Sequence, residues 1–454
     1  MDTIREEARD IPVAEECDIC VIGGSCTGVF AAVRAAQLGA KVAIVECSGL
    51  FGGVATAGLV NIWHSDRDIA EEKDIIAGLT MEVIQRLEKR NGVVTKQSGD
   101  RRHFVLNTAE LTIELDELIA ENGIRPFLHA RFAAPIVEDG KVAAIAVEDK
   151  TGRRAIKASY FIDATGDGDL VVRMGLPTYT RCDVHLQPPT TCAIIHGIED
   201  VAKQNPGFSL SGAVHDPQFA NALKDGFLWA SAVTGVPGAQ MVAGTRVSAA
   251  DCSDADQLTD AEIEGRRQVR AICDILRDNF KGGESIALGA LPAYIGIRET
   301  RHVECEHRLT TDEVLWGRHL PDAIANGSYP VDVHHSDKPG ITFRYLDGTQ
   351  RYCVPGKPAE PGRWREERME SPTFYQIPYR SLVPKGTVNV LAAGRMIDAE
   401  EGAYGAIRVM VNCNQTGEAA GAAAYLALDS GTSVRDVDTD RLRATMSKHG
   451  SIII

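Results

Sequence analysis

No stretch of the 454-residue chain reaches about 18 uncharged apolar side chains, the length a helix needs to cross a bilayer, so no membrane-spanning helix is expected. The opening stretch MDTIREEARDIPVAEE is charged and has no continuous apolar segment of the secretory kind, which points to a cytoplasmic protein. Basic residues are in deficit. The 48 Lys and Arg face 63 Asp and Glu, and the net charge of −15, with no basic patch to override it, argues against nucleic acid or an anionic membrane as partner. A disulfide framework is also missing. The 11 cysteines are odd in number, lie scattered from Cys17 to Cys413, and suit a reducing compartment. Cys17 and Cys20 form a CxxC on a predicted strand with no second pair at zinc spacing, so they read as core cysteines rather than a metal or redox site. Repeats and low-complexity tracts are absent.

What is present is ordinary globular material. Hydrophobic residues make up 44% and charged residues 24%, enough to build sizeable cores, and the length implies two domains or one domain with a large insertion. The informative segment is CDICVIGGSCTGVFAAVRAAQLGAKVAIVE, residues 17–46. Cys17 to Ile22 reads as a buried parallel strand and Val29 to Leu38 as a helix ended by Gly39. Between them lies the turn Gly23-Gly24-Ser25-Cys26-Thr27-Gly28. In a dinucleotide turn the first glycine makes the bend, the second admits the pyrophosphate and the third lets the helix approach the strand. Gly23 and Gly28 fill the first and third places, while Ser25 holds the second with a small side chain able to donate to phosphate. Glu46 closes the next strand, where an acid accepts the hydroxyls of an adenosine ribose and disfavours a 2′-phosphate. Glycine-rich turns also occur for packing alone. The order strand, turn, helix, strand, acid favours the nucleotide reading.

Three further stretches follow. CSGLFGGVATAGLVNIWHS, residues 47–65, is a second small-residue loop directly after the acid, which a simple nicotinamide enzyme would not need. ASYFIDATGDGDLVVRMGLP contains a strand from Tyr160 to Ala164 that opens into Thr165-Gly166-Asp167, preceded by a strand pair around Glu138 to Lys141. VNVLAAGRMIDAEEGAYGAIRVMVNCNQTGEAAGAAAYLA, residues 388–427, gives a strand, a glycine turn, a loop carrying Glu400, Glu401 and Tyr404, and a helix expected over Arg408 to Ala424. The N-terminus of that helix would carry partial positive charge and free N–H donors, suited to stabilise an anionic group.

Taken in this order, the four stretches resemble the FAD-dependent oxidoreductase family with the glutathione-reductase-type flavin fold, nearest to the flavin modules of heterodisulfide reductases and more distantly fumarate reductase flavoproteins. The segment YIGIRETRHVECEHRLTTDEV, residues 294–314, shares the resemblance. It implies an α/β protein whose Rossmann-like FAD-binding domain has three layers and a small antiparallel sheet. That domain would span 1–177 and 375–454, interrupted by an α+β substrate or cap domain over 178–374. A helical cap segment, 66–105 with its helix from Ile69 to Glu88, would cover the flavin edge. The resemblance also implies noncovalent FAD. Its pyrophosphate would lie at Gly23, Gly24, Ser25, Cys26, Thr27 and Gly28, and its ribose at Glu46 with Cys47 beside it. Flavin contacts would come from Gly52, Gly53 and Thr56, from Ala164, Thr165 and Gly166, and from Gly394, Arg395 and Arg408. Arg395 stands where many such proteins carry an acid for the ribityl chain, and either Asp398 or backbone groups would take that role.

The catalytic candidates are Arg298, His302 and Tyr404. Arg298 and Arg301 would share one face if IGIRETRH were helical and would split if it were extended. Two arginines beside a flavin can bind a carboxylate or polarise a carbonyl, and the alternative is a structural ion pair with Glu299, Glu304 or a distant acid. Glu400 and Glu401 are candidate bases or simply solvated. In DVHHSD, residues 332–337, adjacent histidines on an extended segment face opposite ways, so no metal site is expected; one histidine donates to substrate or the pair has no role. The expected function is hydride transfer between flavin N5 and a small organic substrate, with a homo-oligomer left open. The competing readings are an electron-transfer subunit of a larger complex, disfavoured by the lack of iron–sulfur cysteine clusters, and a nicotinamide-only dehydrogenase.

Overall fold

The computed structural model describes residues 2–98, 101–181, 186–224 and 227–454. Its centre is the strand β1 (Val13–Ile22), which sends Ile19 and Val21 into one core and Cys20 and Ile22 into another. Both faces of such a strand are covered, which is why it reads as a nearly continuous apolar run. The chain then forms α1 (Cys26–Gln37) and β2 (Val42–Val45). Later come β3 (Arg125–Phe127), β4 (Arg131–Glu138), β5 (Lys141–Asp149), β6 (Gly152–Asp163) and β7 (Val390–Ala392). The order β3-β2-β1-β6 is parallel, and β7 joins β6 in the same sense. β4, β5 and β6 make an antiparallel meander. The small antiparallel sheet is therefore continuous with the parallel one, because the first half of β6 pairs with β5 and its end with β7.

Helices form the opposite layer. After α2 (Glu401–Ile407), the chain runs into α3 (Met410–Ser430), which crosses α1 at backbone distance. A β-carbon on Gly417 would lie 2.1 Å from the carbonyl oxygen of Thr27, and one on Gly421 2.1 Å from that of Ala31. Small residues four apart thus set the spacing of the helices. Within this contact Arg34 and Glu418 form a buried ion pair at 2.6 Å, and Glu418 also accepts the Leu79 N–H and the Ser451 hydroxyl.

Three expectations are corrected. The helix expected over Arg408 to Ala424 starts at Met410 and continues to Ser430. Glu401 to Ile407 is helical rather than loop, since Gly402 and Gly405 serve close approach to Thr311 and to the Asp332 backbone rather than a turn. The segment 66–105 has a helix only over Leu79–Glu88. After it the strands Val93–Ser98 and Arg101–Leu106 pair antiparallel, the second also pairing with Ile62–Trp63, and Phe104, Val105 and Leu106 are buried.

The described residues between 178 and 374 are α+β and pack in two parts. Strands Ala193–His196, Trp229–Ala232, Ala239–Ala243 and Ala287–Ala290 and the helix Ala255–Asn279 build a core of their own. By contrast Leu309, Val314, Ile324, Val331 and Leu346 share the core of β1 and α3, and Ala323–Gly327 pairs with Tyr375–Pro378. Residues 182–185 of the proline-rich entry stretch lie outside the described residues. Among the described residues no helix is long and apolar enough to cross a membrane.

Candidate functional site

The parallel strands end side by side at Ile22, Val45, Asp163 and Ala392. Ligands of open α/β sheets bind beyond such carboxyl ends. Gly23 makes the exit with φ +98°, and a β-carbon there would lie 2.4 Å from the Ala164 carbonyl oxygen. Ser25 caps α1, its Oγ accepting the Gly28 N–H at 3.4 Å, and the first turn carries no acid. The positive end of α1 is thus free to meet an anion.

Glu46 faces the same space from the end of β2. Its Oε2 accepts the Gly24 N–H at 2.6 Å and its Oε1 the Ser48 N–H at 2.7 Å, so the carboxylate is fixed by backbone while each oxygen keeps acceptor capacity. These groups line one end of a cavity of about 910 Å³. Ser25, Cys26, Thr27, Cys47, Gly52 and Gly53 line it as well.

Midway, Ala164, Thr165 and Gly166 form the wall. The buried Asp163 behind them accepts the Thr165 hydroxyl at 2.7 Å and the N–H groups of Thr165, Leu170 and Val171, and burial pushes its carboxyl up to about 6. The Thr165 hydroxyl is therefore committed, and this wall offers backbone. Arg395 lies at the wall paired with Asp167 at 2.5 Å and bonded to Thr300 at 2.9 Å. Gly394, Cys413 and Asn414 follow. Asn414 is wholly buried on the first turns of α3, and both ends of its amide lack a partner. Such a group calls for a ligand that both accepts and donates.

The far end holds His64, Arg298, Tyr329, Asp332, His334 and Arg408. Arg298 is held by Nη1 alone, which donates to the Pro188 carbonyl at 2.6 Å and to Thr190 Oγ1 at 2.5 Å. Burial and the neighbouring Arg408 bring its guanidinium down to about 10, still protonated at neutral pH. Asp332 accepts the Tyr329 hydroxyl at 2.7 Å and pairs with Arg408 at 3.1 Å. Burial alone would raise this carboxyl, but His334 and Arg408 hold it well below the usual range. Arg246 donates to His334 Nδ1 at 3.1 Å, which places the imidazole proton on Nε2, 3.3 Å from Asp332. Burial brings the imidazole of His64 down to about 4; its ring packs on Tyr329 at 4.1 Å.

Several expected residues sit off the wall. IGIRETRH is extended and splits its arginines: Arg301 pairs with Asp169 and bonds the Ser253 carbonyl, as a structural ion pair. His302 is buried between Arg181 and Glu299, with Tyr179 stacked on it at 5.0 Å and Tyr404 edge-on at 4.7 Å. The Tyr404 hydroxyl donates to the Arg298 carbonyl, so Tyr404 stands behind Arg298 rather than in the cavity. Asp398 is turned to the Cys305 N–H and the Tyr179 hydroxyl. Thr56 donates to the Phe51 carbonyl and shapes its loop, while Gly24 and Gly28 lie behind the turn. Glu400 caps the Thr311 N–H. Of the DVHHSD pair, His334 faces the cavity and His335 bonds Thr342, and among the described residues no three metal-ligating side chains converge. Sequence reasoning missed Arg246, Tyr329 and Asn414, for which spacing gives no signal, since they meet the site from separate elements.

A cavity of about 910 Å³, an acid-free helix N-terminus, a backbone-fixed carboxylate and an orphaned amide define a dinucleotide-binding α/β protein, and they fit FAD, whose flavin ring both donates and accepts. The chain belongs to the FAD dependent oxidoreductase family, matched over residues 18–446, and FAD is its cofactor. It is 27% identical over 162 residues to the mitochondrial dihydrolipoyl dehydrogenase of Schizosaccharomyces pombe, covering 33% of this chain and 28% of that protein. Glutathione reductase of the same organism is 28% identical over 163 residues, 34% of this chain and 32% of its own length. Thiamine thiazole synthase of Pyrococcus abyssi is 25% identical over 178 residues, 36% and 63% respectively. The chain thus spans about a third of the length of the first two relatives. Among solved structures, p-nitrophenol 4-monooxygenase from Pseudomonas putida aligns with 12% identity over 95% of this chain and 86% of its own, at a TM-score of 0.48.

Proposed function

We propose that the protein moves a hydride between flavin N5 and a small organic substrate held at the Arg298 end of the cavity. The observation that carries this reading is Arg298 itself: it lines the cavity, and among the described residues no carboxylate pairs with it. When bound, FAD supplies a carrier of two electrons. Gly23 to Thr27 and Glu46 would hold its nucleotide half, and Gly394, Cys413 and Asn414 its ring. The binding is noncovalent in this reading, since burial raises the Cys26 thiol to about 12 and the Cys47 thiol to about 11, leaving little thiolate to form a bond.

Arg298 presents Nε and Nη2 to the substrate, with Tyr404 fixing its backbone from behind. His64 is a neutral imidazole with no hydrogen bond among the described residues, and its ring can serve the substrate as a neutral hydrogen-bond partner. Tyr329 and Asp332 form the polar edge beside it. The test is anaerobic addition of candidate substrates to the yellow protein, watching for bleaching of the flavin band. With the substrate in hand, Arg298→Ala should reduce the rate of bleaching at least a hundred-fold with flavin content unchanged, and Arg298→Lys should restore it in part, lacking the planar fork. A wild-type rate in Arg298→Ala would remove Arg298 from the reaction, and loss of flavin would make it a cofactor contact.

A further inference from the structure

Arg298 and Arg408 line the far end of the cavity with Arg246 behind them on His334, and one carboxylate answers the three guanidinium groups. Arg246 is 5% exposed, and its donors go to Thr190 Oγ1, the Thr245 and Phe227 carbonyls and His334 Nδ1, all neutral. Arg298 is held by the Pro188 carbonyl and the same Thr190 hydroxyl, again neutral. Only Arg408 has an acid, Asp332, and its Nε is buried without an acceptor. Among the described residues the cluster thus carries two positive charges more than negative ones. Leaving charge enclosed and unmatched is unfavourable, and a fold tolerates it where a ligand brings the opposite charge.

The neighbouring wall is apolar. Phe227 meets Phe343 edge-on at 6.4 Å, Phe343 stacks towards Tyr345 at 6.3 Å, and Trp229 and Ile341 line the same cavity. Arg101 lies over the Tyr345 ring at 5.4 Å and adds a further cation to the lining. A cationic amine would be repelled by this arrangement, and a polar neutral molecule would leave both the charge and the aromatic wall unmatched.

We propose that the substrate is a carboxylate on a flat apolar body, its charge seated between Arg298 and Arg408 and its body against Phe227, Trp229, Phe343 and Tyr345. The planar fork of arginine matches a carboxylate in two-point contact. This rests on the oxidoreductase reading for the word substrate, yet its test is of binding alone. Isothermal titration of the FAD-loaded protein with benzoate, phenylacetate, benzyl alcohol, benzylamine and acetate separates charge from body. One of the two aromatic acids should bind at least ten-fold more tightly than benzyl alcohol, benzylamine and acetate. Arg298→Met should remove at least ten-fold of that preference while binding of benzyl alcohol and the melting temperature hold. Tyr345→Leu should weaken the aromatic acid and leave acetate unchanged. Equal binding of acid and alcohol, tighter binding of the amine, an indifferent Arg298→Met, or no binding by either aromatic acid would overturn the proposal. A carboxylate preference without flavin bleaching by any substrate would instead count against the redox reading and leave this one standing.

Discussion

Glu46 shows how one side chain can serve fold and ligand together. Its carboxylate ties the β1 turn to the end of β2 through the Gly24 and Ser48 N–H groups, and its remaining acceptor capacity faces the cavity. Glu46→Ala should therefore weaken FAD by removing ribose hydrogen bonds to a charged acceptor, about 1.5–3 kcal/mol each, and by loosening the turn. Titration of apoprotein with FAD, followed by quenching of flavin fluorescence, measures it. Glu46→Gln keeps the shape and should lose less; an unchanged dissociation constant in both would place the ribose elsewhere. Ser25 accepts the Gly28 N–H as a helix cap, which leaves its O–H free to donate to phosphate. Ser25→Gly should cost only a few tenths of a kcal/mol and retain flavin. Ser25→Val should empty the site, because a branched β-carbon crowds Gly53 and the space before the helix, and a full flavin complement in purified Ser25→Val protein would contradict that placement.

At the scale of elements, the crossing of α1 and α3 sets where both helix N-termini point. Gly417 and Gly421 on α3 let it rest on the backbone of Thr27 and Ala31, and Arg34 with Glu418 fixes the register. Gly421→Ala must push the helices apart or tilt them, and overpacking of this kind costs about 1–3 kcal/mol. We expect a lower melting temperature together with reduced FAD affinity, because the shift moves the α1 N-terminus relative to Asn414. Thermal denaturation of protein with and without added FAD reads both, and a Gly421→Ala protein that melts and binds like the wild type would show that the contact relaxes without consequence.

For the whole molecule, burial keeps three histidines neutral. His64, His302 and His334 are each held below their ordinary value, chiefly by burial, with Arg181 acting on His302 and Arg298 on His334. The unfolded chain protonates them near pH 6.5 and the folded one does not. Stability is thus full above about pH 6.5 and falls as the pH drops towards the folded value, about 4 for His64, at most about 3 kcal/mol from that residue. Urea unfolding between pH 7.5 and 4.5 should show this decline, and His64→Phe should flatten it by close to one proton; the same slope in that variant would mean His64 is already protonated or solvated in the fold.

The flavin half was legible in the sequence because it rests on short-range signals. A buried strand, a glycine turn, a small-residue helix and a terminal acid lie within residues 17–46, and periodicity and φ demands speak at that range. The small residues of Gly417 and Gly421 were visible too, although only the crossing with α1 explains them. Local signals mislead where glycine has two uses: the stretch carrying Glu401 and Tyr404 reads as a loop, yet its Gly402 and Gly405 serve close packing inside a helix. At the far end of the cavity Arg298, Arg408 and the DVHHSD segment stood out in the sequence, whereas Arg246 and Tyr329 did not, and that these groups meet was not legible, since they come from segments spread over about 160 residues and none announces its neighbours. Sequence determined the cofactor and the Rossmann-like fold class. Tertiary structure alone decided which arginines lack an acid and which side chains face the cavity, because those properties belong to distances between elements rather than to any element by itself.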